Sequence, residues 1–268
     1  MNNRNTKQYI VRSTAVPEIP LIKPGDNLGG IIYNAIIHHS IPLSEGDILV
    51  VSSKIISKAE GRVVSLKSIV PSKKAGDIAR LSGKDPRIVE LMMKESEIIN
   101  VEHGVIETVH NLGFICTSGG IDRSNTGNPE DEMVSLLPIN PNLSAKGIVD
   151  EIRRLSGKEI GVVVNDSLGI KYRTGSIGLA IGVFGLPAVL IGGEGEVDIY
   201  GKRRNFKISF ADEIAATGSL LMGQSDEGFP VVIISGLHYK TKNDKGIGLF
   251  ESERLKSDIR KLKRDLNI

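Results

Sequence analysis

The chain has no tryptophan, a single cysteine and aromatic residues at only 4% of its 268 positions. One cysteine forms no internal disulfide and supports no thiolate-rich metal site; Cys116 reads as a small buried residue on a strand, with a reactive thiol as the alternative. So few aromatics leave no stacking platform of the kind used by single-stranded nucleic-acid binders. Neither sign of charge dominates, with 34 basic residues against 32 acidic and a formal net charge of +2. No global field therefore draws the chain to nucleic acid or membrane, and any anion binding must be local. No apolar run nears the ~18 residues of a membrane-spanning helix, and the polar start MNNRNTKQYIVRST lacks the apolar core of a signal peptide. A cytoplasmic protein with no nucleic-acid or membrane partner is expected.

The familiar nucleotide and metal motifs are missing too. Residues 195–203 (GEVDIYGKR) echo a Walker loop, but five residues separate the glycines and Arg203 follows Lys202 where a hydroxyl should hold magnesium. No GxGxxG opens a helix, no HExxH occurs, and His38, His39, His103, His110 and His238 do not form a zinc-binding pattern. What is present is 40% hydrophobic residues, enough for a core, and 30 glycines suited to tight loops around a ligand.

Residues 48–56 (ILVVSSKII) read as a strand interrupted by Ser52, Ser53 and Lys54, polar residues that a purely structural core strand has little reason to carry. Helices are expected over 28–37, 71–81 and 86–97, the last entered through Asp85-Pro86. Short β runs at 105–109 and 114–117 lead into the polar loop 118–128 (SGGIDRSNTGN). Residues 144–156 read as an amphipathic helix capped by Ser144 and stopped by Gly157. A buried-type strand over 160–164 then ends in the loop Asn165-Asp166-Ser167-Leu168-Gly169. Glycine-punctuated β runs follow at 176–183 and 188–191, then the loop 192–196 and two further runs around Tyr200-Gly201. A helix over 210–222 stops at Gly223, and the loop QSDEG leads to a strand over 230–235. Leu255, Ile259, Leu262 and Leu266 share one face of a charged terminal helix, a docking or dimer-contact pattern. Strands and helices do not alternate as βαβ, so the fold class expected is α+β, with mixed glycine-rich sheets and flanking helices.

Chemistry concentrates in these loops. Asp122, Asp166, and Gln224 with Asp226 and Glu227 offer the oxygen ligands that hard dications prefer, although Asp and Asn beside Gly are equally ordinary turn formers. Lys54 and Lys58 fall on one face of the expected strand, where they meet phosphate oxygens or simply face solvent. Arg173 is either an anion-binding fork or a solvated loop residue.

The segments VVSSKIISKAEGRVV (50–64), DPRIVELMMKES (85–96), GGIDRSNTG (119–127), LLPINPNLSA (136–145), GVVVNDSLG (161–169), DIYGK (198–202) and ADEIAATGSLLMGQSDEGFPVVIISGL (211–237) resemble the coenzyme F420 gamma-glutamyl ligase family. The resemblance implies a reaction that joins glutamate through its amine to a carboxylate of a deazaflavin coenzyme precursor, consuming GTP and releasing GDP and phosphate. It implies a divalent metal, Mn2+ or Mg2+, a monovalent cation such as K+, two intertwined subdomains and a homodimer. By the same resemblance Ile19, Pro20, Leu21, Ile22, Ser53, Lys54, Lys58, Asn125, Met222, Gly223, Gln224, Ser225, Asp226, Glu227, Gly228 and Phe229 surround GTP. Asp122, Asp166, Ser167 and Gln224 hold metal, and Arg173 meets the acceptor. Residues 19–240 form the ligase domain, 1–18 an N-terminal extension and 241–268 the charged helix. The family's loop Asp-Thr-x-Gly-Arg-x-x-Arg-x-Gly reads DSLGIKYRTG here, with Ser167 for threonine and Ile170 for the first arginine. Two alternatives follow: a related ligase for another acceptor or amino acid, and a non-catalytic GTP-binding regulator.

Overall fold

The structure, a computed structural model, describes residues 9–170, 172–192, 197–239, 248–252, 254, 255, 257–259 and 261. Five strands form the central sheet in the order β1 (Arg12–Ala15), β12 (Val231–Ser235), β2 (Ile48–Ser52), β8 (Gly161–Gly169), β9 (Ser176–Phe184). Only β2 and β8 run parallel. Their runs ILVV and VVV are buried throughout because both faces of the sheet are covered. Side chains alternate across the pleat, so Leu49, Val51, Val162 and Val164 pack against α1 (Leu28–His38) and α5 (Pro141–Ser156). Ile48, Val50 and Val163 face α6 (Phe210–Met222) on the other side. That helix lies so close that a Cβ on Gly218 would overlap the Val50 side chain.

Between β2 and α5 the chain leaves the sheet and builds a second core. After α2 (Ser53–Ala59) come β3 (Val63–Ser65), α3 (Lys73–Ser82), α4 (Pro86–Glu95), β4 (Ser96–Glu102), β5 (Val105–His110), β6 (Ile115–Cys116) and β7 (Met133–Ser135). Strands β4, β5 and β6 form one small sheet and β3 and β7 another, enclosing Leu66, Val89, Met92, Ile106 and Val134. The remaining elements, β10 (Leu190–Gly192) and β11 (Phe206–Ile208), pair as a third small sheet. This is the expected α+β class with intertwined parts. Among the described residues no helix is long and apolar enough to cross a membrane.

Four local expectations change. The strand expected over 48–56 stops at Ser52, and α2 begins at Ser53. Four residues is both two strand repeats and about one helical turn, so Lys54 and Lys58 still share a face, but it is a helical one. The helix expected from Ser144 begins at Pro141, because Asn140 caps the Leu143 N–H and proline needs no N–H at the first position. Asp166 is not in a loop: β8 runs unbroken through Asn165 to Gly169, and its pairing with β9 skips Ile181. Residues 12–15, short and next to a polar start, form an edge strand that the sequence did not signal. Of the terminal helix, Leu255 and Ile259 are helical; Leu262 and Leu266, like residues 193–196 of the expected loop, lie outside the described residues.

Candidate active site

The C-terminal ends of β1 and β2, the middle of β8 and the start of β12 meet along one edge of the central sheet, as the registers Ala15↔Val232, Val231↔Val51 and Ser52↔Asn165 require. Carboxyl ends of parallel strands are where open sheets bind ligands. Ser53, buried at the first position of α2, donates its hydroxyl to Asp166 Oδ1 at 2.7 Å. One residue on, the Lys54 ammonium lies 2.6 Å from Asp122 Oδ2 and 2.5 Å from Ser124 Oγ. The inserted unit supplies Asp122, whose backbone exchanges two hydrogen bonds with Ser135 (3.0 and 2.7 Å). Its carboxylate also accepts the Ser124 N–H at 2.7 Å.

These neighbours set the charges. Burial works against an ionised Asp122, but Lys54 and Ser124 outweigh it and hold the carboxyl below its ordinary range. Burial raises the pKa of Asp166; the Ser53 hydroxyl pulls the other way and the negative charge of Asp122 adds to the rise. Lys58, on the same helical face as Lys54, has its pKa lowered by burial and then by the Lys54 charge. A covered carboxylate whose charge burial and Asp122 disfavour, beside a lysine whose charge burial and Lys54 disfavour, suits a ligand bearing both a dication and phosphates.

The remaining candidates other than Arg173 come from three further segments. Gln224 Oε1 lies 3.0 Å from Ser167 Oγ, which is 3.1 Å from Ser176 Oγ. Asn125 Nδ2 donates to the Ser225 carbonyl at 2.8 Å, tying the inserted unit's loop to the one after α6. In that second loop the Glu227 carboxylate accepts the Ser225 N–H at 2.8 Å. Gly223, at φ +69, leaves no room for a Cβ beside Glu227. Met222 and Phe229 are half-buried at the ends of this loop, while Asp226 and Gly228 are exposed. Ile19, Pro20, Leu21 and Ile22 run along the same edge, since the Val16 N–H bonds to the Val231 carbonyl and the Gly25 N–H to the Ala59 carbonyl. Ile22 is buried and Leu21 is 87% exposed. Arg173 stands apart at the exposed β8–β9 turn, its side chain without a partner among the described residues.

Asp122, Asp166, Ser167 and Gln224 together offer only oxygen donors, and two of them are carboxylates; this set fits a hard dication of the Mn2+ or Mg2+ type and does not suit a soft one. Three residues were missed by sequence reasoning. Ser124 follows Asp122 by two, the spacing of an Asp side chain closing on its own backbone, and that was the available signal. Asn165 is a buried amide directly after three valines, with Oδ1 unpaired and Nδ2 3.4 Å from Met222 Sδ. Ser176 gave no signal.

A family model described as F420-0:Gamma-glutamyl ligase matches residues 17–236, which include every one of these positions. The chain belongs to the F420-0:gamma-glutamyl ligase family. It is 40% identical over 235 residues to the coenzyme F420:L-glutamate ligase of Methanothermobacter thermautotrophicus, covering 87% of this chain and 92% of that protein. It is 39% identical over 233 residues to the ligase of that name from Methanocaldococcus jannaschii, with 85% and 89% covered. A third, from Archaeoglobus fulgidus, is 37% identical over 224 residues, with 83% and 86% covered. This member of the F420-0:gamma-glutamyl ligase family is therefore a ligase of coenzyme F420 biosynthesis.

Proposed function

We propose that the protein joins L-glutamate through its amine to a carboxylate of the deazaflavin F420 precursor at the expense of GTP, in the cytoplasm and as a homodimer. The observation that carries this reading is the linked pair of contacts Ser53–Asp166 and Lys54–Asp122 at one sheet edge; the Ser167–Gln224 contact, starting from the next residue of β8, supports it. A carboxylate is a poor electrophile. Attack of the acceptor carboxylate oxygen on the γ-phosphorus breaks the bond to the β-phosphate oxygen, releasing GDP and leaving an acyl phosphate. The glutamate amine then adds to the acyl carbon, inorganic phosphate departs, and the amine nitrogen gives up a proton as the amide forms. A hard dication held by Asp122, Asp166, Ser167 and Gln224 would supply phosphate neutralisation and alignment there.

The chain's own residues do the rest. Lys54 and Lys58 place positive charge on phosphate oxygens, and an anion beside Lys58 offsets the burial and the Lys54 charge that now disfavour its charged form. Ser53 holds Asp166 in one orientation, and Asn125 keeps the two covering loops together. The 19–22 segment and the loop from Met222 to Phe229 flank the nucleotide. Residues 19–240 act as the ligase unit, and exposed Ile199, Tyr200 and Phe206 are available for the dimer contact. Mass spectrometry of a reaction with coenzyme precursor, glutamate, GTP and Mn2+ tests the reading: glutamate-sized steps on the acceptor support it, and an unchanged acceptor with intact GTP overturns it. Ile170 in place of the family's first arginine favours one second reading, a ligase for another carboxylate acceptor. It is recognised by GTP hydrolysis that starts only when a different acid is supplied with glutamate.

A further inference from the structure

Outside the sheet-edge site, one place in the molecule gathers three metal-ligating side chains. The end of α1 presents His38 and its C-cap His39, and the segment leaving β1 presents Glu18. One ligand atom from each lies within 4.8 Å of the others, the only such group among the described residues. Glu18 Oε2 is 3.2 Å from His39 Nε2 and 3.9 Å from His38 Nε2, and the two imidazoles meet edge to face at 4.8 Å. Ligands bound about 2.0–2.2 Å from a tetrahedral zinc stand roughly 3.3–3.6 Å apart, so small rotations of the exposed Glu18 and His38 side chains complete the geometry.

His39 Nε2 gives a second, independent sign. It is shielded from solvent and makes no hydrogen bond, although Glu18 Oε2 is 3.2 Å away. A histidine paired with a carboxylate through a proton aims its N–H at the oxygen. Two atoms sharing an ion aim at the ion between them, and a buried imidazole nitrogen that makes no hydrogen bond is otherwise costly.

We propose that Glu18, His38 and His39 form a site for a borderline dication of the zinc type, separate from the oxygen-only cluster of Asp122 and Asp166, with water completing the coordination. The two sites differ in chemistry: two imidazoles and a carboxylate select Zn2+ or Co2+ over Mg2+, whereas the oxygen cluster suits hard ions. Occupancy pins the exit of β1 to the end of α1, restraining the backbone one residue before Ile19.

The test is calorimetric titration of the full chain with Zn2+ in excess Mg2+, which saturates oxygen-only ligands and leaves imidazoles free. One equivalent of Zn2+ should bind. Glu18→Gln, His38→Gln and His39→Gln should each weaken it by about 100-fold or more, since loss even of a group that only supports a ligand costs 10- to 100-fold. Co2+ should give a visible absorption band that these variants lose. His38 is 74% exposed, so its substitution is safe for folding and decides the matter if His39→Gln is unstable. No Zn2+ binding by the wild type, or equal binding by wild type and His38→Gln, overturns the proposal and leaves an ion pair. Zinc should also slow amide exchange over residues 17–22, an effect absent in His38→Gln.

Discussion

The central sheet and the inserted unit each bring one aspartate to the site, and they hold it in opposite ways. Asp166 belongs to a strand whose preceding residues are fully buried, so its position follows from the backbone, but that burial disfavours its charge. Asp122 stands at an isolated bridge, half exposed, and is kept ionised by Lys54 and Ser124. The sheet thus supplies position at the expense of charge, and the inserted unit supplies charge whose position depends on side-chain partners. The two carboxylates, one fixed by its strand and one held by its partners, are joined through the adjacent residues Ser53 and Lys54.

Substituting the two carboxylates separates these contributions most strongly. Asp166→Asn and Asp122→Asn should each lower turnover by on the order of 100- to 1,000-fold or more, as for removal of a principal electrostatic group. Their stabilities should differ. Asp166→Asn removes a group whose folded pKa is raised, one that costs stability once pH exceeds the unfolded value, so the melting temperature at neutral pH should hold or rise. Asp122→Asn loses a part-exposed ion pair worth about 0.2–1 kcal/mol and should melt slightly lower. Calorimetry without metal reads the difference, and equal shifts of the same sign would erase the contrast.

Acid should break the comparison from the other side. His110 of β5 is buried, stacked on Phe114, with its pKa pushed from 6.5 to about 4 by burial and by the Arg62 guanidinium, itself paired with Glu95. The unfolded chain binds the proton near 6.5 and the folded one only near 4, so stability is complete above the higher value and falls through that window, by roughly 3 kcal/mol. Hydrogen exchange between these pH values should show the inserted unit loosening before the central sheet. His110→Asn, which still offers an acceptor to the Leu112 N–H, should flatten the dependence; an unchanged slope would clear His110 of the effect.

Smaller effects sharpen the roles of the lysine face and the link between loops. Lys58→Ala should weaken GTP binding by roughly 1.5–3 kcal/mol, the range of a charge-assisted hydrogen bond, and an unchanged Kd would make Lys58 a solvent-facing residue. Asn125→Gly keeps the left-handed backbone at φ +54 while removing the contact to Ser225. It should cost about 1 kcal/mol in nucleotide affinity, a few-fold in Kd, with little change in melting temperature. A large loss of stability would instead mark Asn125 as part of the scaffold.

The legible parts of this molecule were those written in local pattern. ILVV and VVV announce central strands because both sheet faces are covered, and the periodicity of 144–156 and 210–222 announces the helices that cover them. The site's residue types were legible as well, since carboxylates, amides and lysines interrupt apolar runs. Their settings were less so. Lys54 and Lys58 sit at a spacing that strand and helix share, and Asp166 beside Asn165 and Gly169 looks like a turn although β9 keeps it in a ladder. Contacts such as Lys54 to Ser124 and Asn125 to Ser225 span 70 and 100 positions and leave no trace in any window of sequence.

The parallel pairing of β2 with β8 carries a consequence for how the molecule is made. Ser53 and Asp166, at the end of that pairing, are 113 positions apart, whereas β4 and β5 of the inserted unit meet across a tight turn at His103 and Gly104. Closing a long loop costs entropy before any contact repays it, so the hairpin is expected to form before the β2–β8 pairing. The carboxylate of Asp166 reaches Ser53 only when that pairing is complete. On refolding, the return of enzyme activity should therefore trail the return of secondary structure in the inserted unit, and a chain stopped short of β8 would hold Lys54 and Asp122 without Asp166.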